Sequence, residues 1–187
     1  MPPSGLAANT PELLEPRQVL TSALDASIRE IFAHYGVLSL KAFEAPAGVP
    51  AEASIGARIQ FANRQLSVGL TLLATPQILD ATHPAPPEIG ITSADLRDWA
   101  LELCNQLSGA LRARLVRYGI HARPSLPESA HHYDRRQQTR VHEALHAFGS
   151  EYGELYVQLA SWVDSTLMVS EIPERRTSMA PGDLRLF

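Results

Sequence analysis

A chain of 187 residues with 16 basic and 20 acidic side chains carries a formal net charge of −4, which offers no general attraction for nucleic acid. A single cysteine cannot close an internal disulfide, and the longest apolar run is far too short to span a bilayer. With no basic start followed by an apolar stretch at the N-terminus, the composition predicts one cytoplasmic domain of ordinary size, neither inserted in a membrane nor bound to nucleic acid.

Residues 1–16 hold four prolines and little apolar periodicity, and read as a flexible extension. From about Arg17 to Tyr35, the positions Leu20, Leu24, Ile28, Ile31, Phe32 and Tyr35 form a helical stripe stopped by Gly36. A Pro/Ala/Gly linker around Ala45 to Ala51 follows. Ile55, Ala57, Ile59 and Phe61 then alternate with polar or small residues, as do Leu66, Val68, Leu70 and Leu72. With Ala62-Asn63-Arg64 between them, the two runs predict a hairpin with one buried face.

Thr75-Pro76 predicts a short helix to about Ala81, the threonine hydroxyl capping and proline in the first turn. The segment His83 to Ile91, with three prolines, is a loop. Thr92 followed by Asp95 resembles a capping box, and the helix it opens should run to about Tyr118, before Gly119. Pro124 and Pro127 bracket an edge segment, Glu128 to Gln138 reads as a polar loop, and Tyr152 or Glu154 to Val163 reads as a strand. The end, 170–187, is expected to be a mobile tail, which leaves 17–169 as the domain.

The long helix is the informative one. At about 100° per residue, Asp98, Glu102, Asn105 and Gly109 fall within roughly 60° of each other. Leu96, Leu103, Leu107, Ala110 and Leu111 line the other side. Acids in its N-terminal half and Arg112, Arg114 and Arg117 in its C-terminal half fit the helix dipole, which is the purely structural account. Two choices run against that account. Asp98 and Glu102 are like charges at i and i+4 with no basic residue three or four positions away, and Gly109 stands mid-helix, where glycine costs about 1 kcal/mol relative to alanine.

The pattern Asp98-x3-Glu102-x2-Asn105, followed by Gly109 and later Pro127, resembles the signature of the CheC/CheX/FliY chemotaxis phosphatases, most closely the single-copy CheX type. The order of the surrounding elements agrees over roughly Val19 to Val163. The resemblance implies an α+β fold, an antiparallel sheet packed against two main helices, with the signature helix presenting its polar side to solvent. It also implies hydrolysis of the phosphoaspartate of a CheY-like response regulator. Asn105 would orient the attacking water, Glu102 would engage the regulator's lysine, and Asp98 and Gly109 would belong to the partner contact. No intrinsic cofactor is implied, the Mg2+ being the regulator's, and the CheX type pairs through its sheet into a homodimer. A non-catalytic dimeric docking module of the same fold is the alternative.

A third reading starts from His142-Glu143-Ala144-Leu145-His146, which matches H-E-x-x-H. On a helix both imidazoles would share one face and bind zinc, with Glu143 as general base. Tyr152 stands where the longer zinc-protease pattern has its third histidine, leaving Glu151 or Glu154 as the nearest carboxylates, while His131 and His132 lie upstream. As a strand, the same residues would alternate and turn through Gly149 to Gly153 into the next strand, the hairpin that the resemblance implies. Sequence alone leaves both conformations open.

Overall fold

The computed structural model describes residues 13–46, 49–86, 90–130 and 142–172. The extension 1–12, the pair His131 and His132, and the tail beyond 172 lie outside the described residues. In chain order the elements are α1 (Pro16–His34), β1 (Lys41–Phe43), β2 (Ile55–Ala62), β3 (Leu66–Ala74), α2 (Pro76–Thr82), α3 (Ser93–Val116), β4 (Arg123–Pro124), β5 (Glu128–Ala130), β6 (His142–Ser150) and β7 (Gly153–Val163). The strands form one antiparallel sheet in the order β1-β6-β7-β3-β2-β4, with β5 also pairing β2. This is the expected α+β architecture, with α1 and α3 as the two main helices and α2 a third, shorter one.

Alternation sets the layers. Ile59 and Phe61 of β2, Val68, Leu70 and Leu72 of β3, and Leu155, Val157 and Leu159 of β7 enter one core with Leu24 and Ile28 of α1 and Leu103, Leu107 and Leu111 of α3. Both helices therefore cover the same face of the sheet. On the other face a smaller cluster joins Ala53, Leu73, Ala130, Ala147 and Tyr156. Gly36 at φ 89° follows the end of α1 and Gly119 at φ 73° follows α3, the left-handed positions that end a helix most cheaply with glycine. Contacts continue just past the 17–169 span, because Leu14 N–H donates to the Val169 carbonyl at 2.8 Å and Ile172 N–H to the Arg117 carbonyl at 2.8 Å.

The expected hairpin forms, with Phe61 opposite Val68 and Ile59 opposite Leu70. Its turn is fixed by Asn63, whose Oδ1 accepts from the Gln65 and Leu66 amides, each at 2.8 Å. Elsewhere two expectations need correction and one strand went unread. Glu128 to Ala130 is strand β5 rather than the start of a loop, paired with Gly56–Arg58 and tied by an Arg58–Glu128 ion pair at 2.7 Å. The segment Lys41–Phe43 is edge strand β1, which sequence reasoning did not find. Thr75 precedes α2 but its hydroxyl makes no capping bond; Oγ1 instead accepts from the Glu154 amide at 3.2 Å, pinning the start of α2 to β7.

The open question over His142 to His146 resolves to strand β6, paired with β7 from His142 opposite Ser161 to Ser150 opposite Gly153. Four residues along a strand separate the two imidazoles by about 13 Å, too far to share one ion. The zinc reading of His142, Glu143 and His146 therefore fails on conformation. Among the described residues no group of three or more His, Cys, Asp and Glu is placed to hold a metal ion.

His146 has a structural role instead. It lies on the face of β6 toward α1, its Nε2 buried and without a hydrogen-bond partner among the described residues. Burial pushes its pKa below the ordinary value, opposed by the nearby charge of Asp25. The unfolded chain thus binds the proton more readily than the folded one. Stability is expected to be complete above about pH 6.5, to fall as the pH drops below that value, and to level off below the folded-state pKa. Urea midpoints between pH 7.5 and 5 check this: His146→Leu should flatten the slope, and an unchanged slope would remove His146 as its source.

Candidate functional site

Helix α3 begins with the capping box that its sequence suggests. Thr92 Oγ1 accepts from the Asp95 amide at 3.3 Å, and Asp95 Oδ2 accepts from the Thr92 amide at 2.8 Å. The Thr92 hydroxyl also donates to Asp95 Oδ2 at 2.6 Å, and this bond, joined by that from the Thr92 amide, holds the Asp95 carboxyl below its ordinary pKa, so the cap stays charged. Leu96, Trp99, Leu103, Leu107, Leu111 and Leu115 then bury one side of the helix. That burial fixes which way the rest must point. Asp98, Glu102, Asn105 and Gly109 are all exposed, on one face over three turns.

Two of the side chains on this face are not spent on holding the fold together. Asp98 and Asn105 make no side-chain hydrogen bond with any described residue. The arginines of the C-terminal half turn elsewhere: Arg114 pairs with Glu30 of α1 at 2.5 Å and Arg117 with Glu171 at 2.8 Å. Neither neutralises the carboxylates at the other end of the helix. Cys104, between Glu102 and Asn105 in sequence, points into the core, where burial pushes its thiol up to about 12. It is neutral at physiological pH and takes no part as a nucleophile.

Glu102 does have a neighbour that sequence reasoning missed. Gln106 Nε2 donates to Glu102 Oε1 at 2.8 Å, and the Tyr35 hydroxyl donates to Gln106 Oε1 at 3.0 Å. Tyr35, read from sequence as the last residue of an apolar stripe, caps the C-terminus of α1 beside the site helix. The i, i+4 spacing of Glu102 and Gln106 was a signal that could have been found. The Tyr35 contact, spanning 71 positions, carried none.

A Cβ built on Gly109 meets no atom within 4 Å, so no internal packing demands glycine there. Gly109→Ala is expected to raise stability by about 1 kcal/mol, read from urea unfolding. A loss of stability would mean that part of the protein itself packs on this face.

No protein-family model and no curated protein matches the chain. Solved structures do match. CheX from Vibrio vulnificus superposes with a TM-score of 0.65 at 15% identity, covering 80% of this chain and 100% of that one. The chain has a CheX-like fold. A CheC-like superfamily protein from Shewanella sp. PV-4 has a TM-score of 0.64 at 16% identity, over 77% and 97% of the two chains. The CheX–CheY–BeF3–Mg2+ complex from Borrelia burgdorferi matches with a TM-score of 0.58 at 8% identity, over 79% and 97%. Identities this low leave the roles of individual residues to the site's own geometry. The CheX-like fold presents α3 with its polar side outward, and no helix among the described residues is long and apolar enough to cross a membrane.

Proposed function

We propose that the protein is a phosphatase for the phosphoaspartate of a CheY-like response regulator, in chemotaxis or a related two-component system. The observation that carries this reading is the exposed row Asp98, Glu102, Asn105 and Gly109, set on a rigid capped helix and clear of the ion pairs of α3. Such a helix can enter the active site of another protein and supply what phosphoryl transfer needs most, a positioned water and fixed charge. The Asn105 carboxamide orients the water in line with the phosphorus. The water oxygen attacks as the bond from phosphorus to the aspartyl oxygen breaks, giving inorganic phosphate and the free carboxylate. Asparagine suits this task because it both donates and accepts without titrating near neutral pH.

Glu102, one turn away, pairs with the regulator's lysine and holds the two proteins in register. Asp98 is a supporting contact, and Gly109 lets the partner's backbone come close. The Mg2+ stays with the regulator, and no cofactor of this chain takes part. The fold shared with a CheX structure complexed with CheY supports the choice of partner. The resemblance also carries a homodimer paired through the sheet.

Amide chemical-shift mapping tests the placement of the partner. Titration with a CheY-like receiver activated by beryllofluoride and Mg2+ should perturb residues 98–109, and Glu102→Ala should weaken binding. Shifts confined to the β1 edge of the sheet would refute the reading. Binding through α3 without faster loss of phosphate would leave a docking module of the same fold.

A further inference from the structure

Glutamate is a long side chain, and an exposed one samples many rotamers that must be frozen when it docks. Glu102 does not stand alone. Its carboxylate can only accept hydrogen bonds, so the Gln106 amide must turn its nitrogen toward Glu102 and its oxygen away. That oxygen meets the Tyr35 hydroxyl, which donates to it at 3.0 Å. The chemistry therefore fixes every donor and acceptor along the line Tyr35, Gln106, Glu102.

The line is anchored in the core. The Tyr35 ring packs edge-on against Trp99, with centroids 4.9 Å apart and an interplanar angle of 89°, and its other neighbour is His34 at 4.9 Å. Trp99 is buried, and its Nε1 donates to Thr82 Oγ1 of α2 at 3.1 Å. His83 packs against the same indole at 5.6 Å. A polar line thus runs from the Tyr35 hydroxyl at the end of α1, whose ring is held against a buried tryptophan, to the exposed carboxylate on α3.

We propose that Gln106 and Tyr35 are positioning residues that hold Glu102 in its docking rotamer before the regulator arrives, a role that rests on the reading of Glu102 as the docking carboxylate. An i, i+4 pair that merely steadied the helix would not call for the second bond from another element. Asn105, by contrast, has no such support, which fits a group that engages water rather than a fixed charge.

The test uses the full chain with a CheY-like receiver phosphorylated by acetyl phosphate, and the variants Gln106→Met and Tyr35→Phe. Both keep the shape of the side chain and remove its polar end. Gln106→Met should raise KM for the phosphorylated receiver about tenfold and Tyr35→Phe about threefold, with kcat almost unchanged. In a Glu102→Ala background, Gln106→Met should change KM less than about twofold, because the two residues act as one unit. A full tenfold effect persisting in that background would overturn the proposal.

A second readout needs no activity. Three-bond couplings of the Glu102 side chain should report one rotamer in the wild type and averaging in Gln106→Met. Averaged couplings already in the wild type would overturn the proposal, whatever the kinetics. If the wild type neither binds the receiver nor speeds its dephosphorylation, the phosphatase reading fails, and the couplings still decide whether Gln106 positions Glu102.

Discussion

Asn105→Ala is expected to slow dephosphorylation of a CheY-like receiver by about 100-fold or more, with affinity for the beryllofluoride-activated receiver nearly unchanged. The residue does nothing for the fold. Asn105 is exposed, and its carboxamide bonds to no other described side chain or backbone group. Alanine there removes no internal contact, and its higher helix propensity should leave the protein as stable as before or slightly more so. A loss of turnover in a fully folded, fully binding variant isolates the interaction with the water in the transition state, which lowers kcat rather than raising KM. The opposite split, weaker binding with kcat intact, would make Asn105 a docking contact. Unfolding of the variant would show that its side chain is not free of the fold.

Gly56→Ala should have the largest effect on stability, about 3 kcal/mol of destabilisation or outright failure to fold. A Cβ at this position would lie 2.1 Å from the Leu72 carbonyl oxygen and 2.7 Å from Leu73 Cδ2. The first of these is backbone and cannot swing aside. Nor can β2 retreat, because Gly56 is held between Leu73 of β3 and Ala130 of β5. The same chemical change has the opposite sign at Gly109, where the added methyl meets nothing. Urea midpoints at constant m-value measure both, and a Gly56→Ala protein within about 0.5 kcal/mol of the wild type would contradict the β2–β3 register around Gly56.

These two glycines illustrate what sequence can and cannot reveal. Gly109 stood out because a helix has a known period, so a small residue on a polar face is visible without coordinates. Nothing local marked Gly56, whose constraint comes from strands β3 and β5. The same division holds for whole elements. α1, α3, β2 and β3 are long enough for apolar periodicity to establish itself, and they lie close to where the pattern puts them. β1 and β5 have three residues each, and every residue of β1 is exposed, so no alternation of burial could betray it. At Thr75 the local cap preference was outbid by the Glu154 amide, a residue 79 positions away.

The candidate site divides along the same line. Asp98, Glu102, Asn105 and Gly109 share one face of one helix, and spacing alone brings them together. Tyr35 reaches the site only because α1 packs against α3, and its hydroxyl was invisible behind the apolar ring that filled the stripe. The H-E-x-x-H match misled for a related reason, since its meaning depends on helical spacing and pairing with β7 made it a strand.

Turnover separates a polar face of α3 that hydrolyses a phosphoaspartate from one that merely docks its carrier. The most direct measurement follows decay of a phosphorylated CheY-like receiver present in large excess over this protein. Many phosphates should be released per molecule, faster than the receiver's own decay, with return to the intrinsic rate in Asn105→Ala. Decay at the intrinsic rate in the presence of the wild-type protein, with the receiver demonstrably bound through α3, would contradict the phosphatase reading.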